Sequence, residues 1–148
     1  VVARGYRLQP DSPKFLRRNG VRWFETDDVG SLDGELLTVH GRADDVSVTG
    51  GTTVSPQAVE AVLAEVPGVR ECLVVGVPDL EWGQRVVALV VGEAHLQVLR
   101  DKATERLGVA AAPRAVVTVD DLPRKALGKP DRAAAAELAR ERLAADPA

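Results

Sequence analysis

Two lysines and an arginine lie close together near the end of the chain, in the segment Pro123-Arg124-Lys125-Ala126-Leu127-Gly128-Lys129-Pro130. This concentration is notable because the whole chain contains only four lysines. A lysine on a glycine-flanked loop can reach an anion that develops during a reaction and stabilise it. The alternative interpretation is a basic loop that is simply exposed at the surface.

An acidic segment near the start, Trp23-Phe24-Glu25-Thr26-Asp27-Asp28, follows a short predicted strand. A carboxylate offers two acceptor oxygens, which suits the two hydroxyls of a ribose diol. The alternative is a solvated loop or a turn cap, since Asp residues are common in both. Spacing alone does not decide between a binding site and a turn.

The segment Gly41-Arg42-Ala43-Asp44-Asp45 separates two predicted strands, and Gly50-Gly51 follows shortly after it. A glycine beside charged residues is a plausible hinge, because few side chains restrict the backbone there. The paired glycines would also allow a thin ligand to approach the backbone closely. The alternative is a pair of ordinary turns without a functional role. A P-loop is excluded because Gly-Lys-Ser/Thr is missing.

Composition limits the function classes. The chain has 148 residues and a net charge of −3, so bulk electrostatics do not favour binding to nucleic acid or an anionic membrane. No apolar run approaches the roughly 18 residues of a membrane helix. One cysteine, Cys72, and two distant histidines make a zinc site improbable, and we predict no metal ligands. We expect a cytoplasmic location because the first residues do not resemble a secretory signal.

Periodicity predicts mixed strands and helices. We expect strands at 21–24 and 35–40 that pair as a small meander, then a short strand near 46–48. Ser55-Pro56 predicts the start of a helix that Pro67-Gly68 ends. The remaining predicted elements are strands at 71–77, 85–92 and 114–119 and helices at 96–107 and 131–143.

This order predicts an α+β fold, a small sheet with flanking helices, preceded by a short β-hairpin. We place the domain boundary near the charged break. Residues 1–43 would be the end of a larger N-terminal domain, mainly a β-hairpin, and residues 44–148 would form a smaller C-terminal domain. On this interpretation the chain is a fragment of a longer protein.

In their order and spacing, the three polar segments resemble the C-terminal portion of the adenylate-forming superfamily. That superfamily includes acyl-CoA synthetases, adenylation domains of peptide synthetases and luciferases. The resemblance extends from about Gly5 to Arg132. Its motifs are Phe24–Asp28, Gly41–Asp45, Thr49–Pro56 with Val59-Glu60, the strand and turn Val74–Asp79, and Leu122–Arg132.

The resemblance implies a mobile C-terminal lid and a role for each matching residue. Asp28 would bind the ribose hydroxyls of ATP, and Arg42 would help to hold the nucleotide. Asp44 would be the hinge about which the lid rotates. Lys129 would be the catalytic cation of adenylation. Thr49, Gly50 and Gly51 would line the approach of CoA.

The resemblance further implies an ATP-dependent acid–CoA ligase. Its substrates would be a small carboxylic acid, ATP with Mg²⁺ and CoA, and its main partner would be the N-terminal domain of the same chain. We expect that domain to bind most of the ATP and Mg²⁺, so the fragment alone should be inactive. The oligomeric state stays open, and no nucleic acid or membrane span is expected.

Two details refine this expectation. The stretch Glu81–Ala88 resembles acyl-CoA synthetases rather than peptide-synthetase modules, and Asp33–Leu36 and Gly41–Gly51 resemble the o-succinylbenzoate–CoA ligases of menaquinone synthesis. In the first motif, however, Glu25 and Asp27 replace a usual basic residue and glycine, which adds negative charge beside the expected ribose site. The alternatives are a stand-alone, non-catalytic α+β binding module and a fragment of a peptide-synthetase adenylation domain.

Overall fold

The computed structural model describes residues 2–42 and 47–145. Within them the chain forms nine β-strands and three α-helices. The strands are β1 (Phe15–Arg18), β2 (Val21–Phe24), β3 (Asp28–Asp33), β4 (Leu36–Arg42), β5 (Ser47–Thr49), β6 (Thr52–Val54), β7 (Val69–Asp79), β8 (Gly83–Gly92) and β9 (Ala115–Thr118). The helices are α1 (Pro56–Leu63), α2 (Leu96–Leu107) and α3 (Arg132–Ala145).

The first part of the chain forms two separate antiparallel hairpins, β1–β2 and β3–β4. The predicted meander between the strands at 21–24 and 35–40 is therefore wrong. The turn between β1 and β2 consists of Asn19 and Gly20, which both have positive φ, the geometry of a tight two-residue hairpin turn. Because β1 supplies the partner of β2, the strand at 35–40 pairs with β3 instead.

The second part is built on a long antiparallel pair, β7 and β8. On the other side of β8, β9 pairs in parallel, and the β5–β6 hairpin joins through Thr49 and Gly83. No other described strand pairs with β7, so β7 is an edge strand of this sheet. Its outer edge is consequently open to side chains from the helices.

Helices cover both faces of this sheet. Alternate residues of β7 and β8 point to opposite faces, as strand geometry requires. One face, with Val74 and Val86, packs against α1 and α2 through residues such as Leu63 and Leu99. The other face packs against the alanines of α3 with Leu73, Val75, Val77, Val87, Leu89 and Val91. The sequence therefore encodes two cores around a single sheet.

The helix starts follow the sequence signals. Ser55 caps α1 by accepting a hydrogen bond from the Ala58 amide at 3.4 Å, and Pro56 occupies the first turn, where no amide is needed. Asp131 precedes α3 and accepts a bond from the Ala134 amide at 3.2 Å. Gly108 ends α2 with a φ of 90°. None of the described helices is long and apolar enough to span a membrane.

The α+β fold, a small sheet with flanking helices, is confirmed. The helix predicted at 96–107 has these bounds, while α3 runs two residues further than expected. Strands β1, β3 and β6 were not predicted, and β6 was missed because three residues give too short a pattern to read. The domain boundary near residue 43 stays a prediction.

Candidate functional site

A cleft of about 760 Å³ lies between the basic loop, the open edge of β7 and the start of α3. Its described lining includes four basic side chains and no acidic one. The lining residues are Arg42, Ser47, Pro56, Val74, Val75, Gly76, Gln84, Lys125, Lys129, Pro130, Arg132, Ala133 and Ala136. The cleft thus brings Arg42 and Lys129, which are far apart in sequence, to one place.

Gly76 lines this cleft at a position where a side chain would not fit. A Cβ added to Gly76 would lie 2.4 Å from Ser47 Oγ and 2.8 Å from Gln84 Oε1. Both of these side chains line the same cleft. A side chain at position 76 would therefore displace polar groups that face the cleft.

The basic loop is a closed turn tied together by its own backbone. The Lys125 amide donates to the Lys129 carbonyl at 2.7 Å, and the Gly128 amide donates to the Lys125 carbonyl at 3.1 Å. Arg124 and Pro130 form an antiparallel bridge below the turn. At its tip, Leu127 has a φ of 73° and an almost fully exposed side chain, so the turn retains a strained residue there.

An ion pair holds one end of this loop to the sheet. Arg132 donates to both carboxylate oxygens of Glu60, at 2.6 and 3.0 Å, and to the Val74 carbonyl at 2.8 Å. Glu60 in turn accepts the Val74 amide at 2.7 Å. The pair therefore occupies both outward-facing backbone groups of Val74, where a neighbouring strand would otherwise bond. Pro130 and Asp131 are the only residues between Lys129 and this anchor.

A second set of contacts holds the other end. The Arg124 guanidinium pairs with Glu71 on β7 and also donates to the Gly128 carbonyl at 3.1 Å. The Asp131 amide donates to the Pro123 carbonyl at 2.8 Å, which closes the base of the loop. Lys129 is thus an exposed side chain on a fixed backbone. In this arrangement the Lys129 ammonium group can move while its backbone stays in place.

Asp28 and Arg42 lie opposite each other at the open end of the β3–β4 hairpin. Arg42 donates to Asp27 at 3.0 Å, and Lys14 also pairs with that carboxylate. The hydrogen bond from Lys14, followed by smaller contributions from Arg42, lowers the pKa of Asp27 below its ordinary value of 3.8. The added charge of Asp27 is therefore balanced within the chain by Lys14 and Arg42.

Gly50 and Gly51 form the two-residue turn between β5 and β6, with φ values of 54° and 77°. Two left-handed residues in succession are typical of this turn and favour glycine at both positions. The Gly50 amide donates to the Trp82 carbonyl at 3.1 Å. A Cβ at Gly50 would lie 3.1 Å from the Trp82 ring, so the indole lies close against the turn.

Trp82 itself is held by its neighbours. The Arg114 guanidinium lies 3.5 Å from the centroid of the indole ring, a cation–π contact. Asp79 accepts the Trp82 and Glu81 amides, each at 3.0 Å. The Trp82 amide is the main reason that the pKa of Asp79 lies below its ordinary value. The glycine turn therefore adjoins an aromatic face and a positive charge.

Thr49 does not present its hydroxyl at this surface. The residue is 2% exposed, and its Oγ1 finds no hydrogen-bond partner among the residues that the structure describes. Thr49 is therefore largely covered in this conformation and offers little surface for contact with a ligand.

The structure brings some of the predicted site residues together and separates others. Lys129 and Arg42 line the cleft, and Asp28 is the cross-strand neighbour of Arg42. Thr49, Gly50 and Gly51 are not part of that lining. Asp44, the predicted hinge, lies outside the described residues. Within residues 2–42 and 47–145, no His, Cys, Asp and Glu side chains group as a metal site.

Sequence reasoning missed several neighbours of these residues. Glu60 was matched as part of the motif that follows the glycine turn, but its role as a partner of Val74 and Arg132 was not predicted, because both residues are distant in sequence. Trp82 and Arg114 were not linked to the glycine turn, although a tryptophan in a polar turn is an unusual feature that could have indicated a binding surface. Lys125 was visible as part of the basic loop, but its position in the cleft required the fold.

Comparison with known proteins identifies the class. Residues 58–129 match the family of AMP-binding enzyme C-terminal domains, and this part of the chain has the fold of the C-terminal domain of adenylate-forming enzymes. The expected resemblance is therefore confirmed. The matched residues begin in α1 and end at Lys129.

The relatives are acid–CoA ligases and related synthetases. A probable 2-succinylbenzoate–CoA ligase of Mycobacterium tuberculosis is 49% identical in an alignment of 142 residues that covers 90% of this chain and 36% of that protein. The chain thus spans about a third of this relative. The o-succinylbenzoate CoA synthetase of Bacillus subtilis, solved with its acyl-adenylate intermediate, is 36% identical, with a TM-score of 0.71 over 79% of this chain and 24% of that one.

A further solved relative shows that the chemistry of the superfamily varies. The amide bond synthetase McbA of Marinactinospora thermotolerans is 34% identical, with a TM-score of 0.78 over 90% of this chain and 28% of that chain. The same domain fold therefore occurs in an o-succinylbenzoate CoA synthetase and in an amide bond synthetase.

Proposed function

We propose that this chain supplies the mobile C-terminal lid of an ATP-dependent acid–CoA ligase. The observation that carries the proposal is the cleft shared by Lys129 and Arg42. In adenylation, a substrate carboxylate attacks the α-phosphorus of ATP, the acyl–phosphate bond forms and pyrophosphate leaves. Because this step brings anions together, a positioned cation between them lowers its barrier.

Lys129 is the residue best placed for this role. Its backbone is fixed by the closed turn and by the anchor of Arg132 on Glu60, and its side chain is exposed. Arg42 lines the same cleft, next to Asp28, so a nucleotide in the cleft could reach both. We assign Asp28 to the ribose hydroxyls and Arg42 to the nucleotide.

The second step needs a different surface. CoA attacks the acyl carbon through its thiol, the thioester bond forms and AMP leaves. The turn at Gly50 and Gly51 lies outside the cleft lining and combines an open backbone with the Trp82 ring and the Arg114 charge. We assign this turn to the pantetheine arm of CoA and Arg114 to the CoA phosphates.

A lid that presents two surfaces in turn must rotate. We place the hinge at Asp44, between the hairpins and the sheet domain, because domain movements about a few linker residues are common in enzymes. Residues 1–43 would then stay with the larger N-terminal domain. In support, several apolar side chains of the β3–β4 hairpin are exposed, including Leu32, Leu36, Leu37 and Val39, and are available to pack against a further part of a longer chain.

The substrates follow from the same proposal. ATP would arrive with Mg²⁺, and we propose that the N-terminal domain binds most of the ATP and the metal. The acid pocket would lie there as well. Given the 49% identity to a probable 2-succinylbenzoate–CoA ligase, we propose o-succinylbenzoate, and hence menaquinone synthesis in the cytoplasm.

The test separates the two half-reactions in the full-length ligase. Lys129→Ala should reduce adenylation about 10²–10³-fold, as expected when one group that stabilises transition-state charge is removed. Adenylation is measured by pyrophosphate release with o-succinylbenzoate and ATP. Thioester formation from preformed acyl-adenylate should be unchanged, because the lid then presents its other surface.

The matched control is Lys102→Ala. Lys102 lies on α2, outside the cleft lining, and pairs with Glu65 at 3.1 Å. This variant should retain both half-reactions. Equal loss of adenylation and thioester formation in Lys129→Ala would refute the assignment of Lys129 to the first step.

A further inference from the structure

Lys125 and Lys129 form a pair on one closed turn. The hydrogen bond between the Lys125 amide and the Lys129 carbonyl is 2.7 Å long, so the two residues face each other across the turn at a fixed separation. Both lysines line the cleft of about 760 Å³. Two ammonium groups can therefore reach the same volume from neighbouring points of one rigid backbone.

The other basic residues of the cleft already have carboxylate partners. Arg42 pairs with Asp27, and Arg132 pairs with Glu60. By contrast, neither Lys125 nor Lys129 forms an ion pair with any residue in the described parts of the chain. The local excess of positive charge is thus concentrated on the two lysines, in a chain whose net charge is −3.

Charge of one sign in a concave site attracts counter-ions, because the low-dielectric walls focus the field. An ammonium group binds phosphate as a compact point charge with rotatable donors. A single phosphate neutralises one such group, whereas an anion with linked phosphates can contact two at once. The pair of lysines therefore matches a polyphosphate better than a small monovalent anion.

We infer that Lys125 is a second phosphate-binding cation and that Lys125 and Lys129 together hold a polyphosphate in this cleft. The inference deepens the proposed function, since the natural ligand would then be the triphosphate of ATP or the departing pyrophosphate. Lys125 would act on the phosphate chain, and Lys129 would remain available to the reacting carboxylate and α-phosphate. The affinity for pyrophosphate itself does not require that the ligase reaction occurs.

The experiment uses the 148-residue chain and inorganic pyrophosphate as the probe, with binding measured by calorimetry at low ionic strength. Lys125→Gln should weaken pyrophosphate binding about tenfold, the loss expected for one hydrogen bond between charged groups. Lys129→Gln should have a similar effect. Orthophosphate should bind the original chain more weakly than pyrophosphate. Its affinity should also differ less between the original chain and the lysine variants.

Lys102→Gln is the matched control, because it removes the same charge from a lysine that already pairs with Glu65 outside the cleft. It should retain the pyrophosphate affinity of the original chain. The inference is overturned if the original chain does not bind pyrophosphate, or if Lys125→Gln binds it equally well. It is also overturned if Lys102→Gln weakens binding as much as Lys125→Gln, since net charge alone would then explain the effect.

A second measurement separates this inference from the proposed function. In the full-length ligase, Lys125→Gln should raise the KM for ATP in adenylation more than it lowers kcat, whereas Lys129→Gln should mainly lower kcat. If the chain binds pyrophosphate through Lys125 but the full-length protein adenylates no acid, the polyphosphate site stands and the ligase function fails. If adenylation depends on Lys129 but not on Lys125, the ligase function stands and the role of Lys125 fails.

Discussion

Asp27 shows how a single residue can depart from a family pattern without leaving an uncompensated charge. Its carboxylate pairs with Lys14 from the first hairpin and with Arg42 from the second. The same contact holds the Arg42 guanidinium at the end of β4, beside Asp28. Asp27 therefore orients Arg42, which we propose to contact the nucleotide, and it also adds negative charge near that site.

Lys14→Gln tests this arrangement. Lys14 is the largest cause of the low pKa of Asp27, so its removal should raise that pKa towards 3.8, and Arg42 should keep it from reaching the ordinary value. Because the folded-state pKa is depressed, the contribution of the contact to stability is fully present above about pH 3.8 and is lost as the pH falls through the folded-state pKa. Carboxyl ¹³C NMR titration measures the shift. An unchanged midpoint in Lys14→Gln would contradict the assigned cause, and Lys102→Gln should leave it unchanged.

At the scale of elements, the Glu60–Arg132 pair joins α1, β7 and α3. The two side chains, 19% and 20% exposed, take the place of a neighbouring strand at Val74. An open edge strand otherwise presents unpaired backbone groups that can recruit another chain. The pair thus protects the sheet and fixes the start of α3 directly after the basic loop.

Glu60→Ala should destabilise the fold by about 2 kcal/mol, because it removes the carboxylate that accepts from the Val74 amide and pairs with the Arg132 guanidinium. Urea denaturation of the chain measures the change. Glu137→Ala is the control, since it breaks an exposed Glu–Arg pair within α3 and should cost less than about 0.5 kcal/mol. Equal losses in the two variants would show that the Glu60 pair behaves as an ordinary surface ion pair.

At the scale of the whole molecule, the hydrophobic core lies entirely in the second part of the chain. The buried apolar side chains extend from Val54 to Ala139, and no side chain described in residues 2–42 is buried. In the first part, Tyr6, Phe15 and Phe24 form a small aromatic cluster with centroids 5.0 to 6.2 Å apart. Such a cluster supports a hairpin but is too small to provide an independent core.

A chain shortened to residues 44–148 should therefore fold alone. Its thermal transition, followed by circular dichroism, should lie within about 5 °C of that of the whole chain, which corresponds to a difference of roughly 1 kcal/mol for a domain of this size. A peptide of residues 1–43 should show no cooperative transition. Loss of the transition in 44–148 would place the domain boundary elsewhere.

The sequence by itself determined the local features. Alternating and helical periods, the Ser55-Pro56 start and the glycine turns predicted the α+β fold, most of its strands and all three helices. The motifs also indicated the superfamily and singled out Lys129 and Arg42. These signals are local, because propensities and caps act within a few residues.

Only the tertiary structure decided which residues share a site. It paired β2 with β1, balanced Asp27 with Lys14, linked Glu60 to Arg132, and brought Lys125, Lys129 and Arg42 to one cleft outside the Gly50-Gly51 turn. Contacts between residues far apart in sequence depend on how strands pair and helices pack, and no single segment contains that information. The local sequence motif is therefore enough to identify Lys129 as the candidate catalytic residue, but the cleft around it forms only when the chain folds.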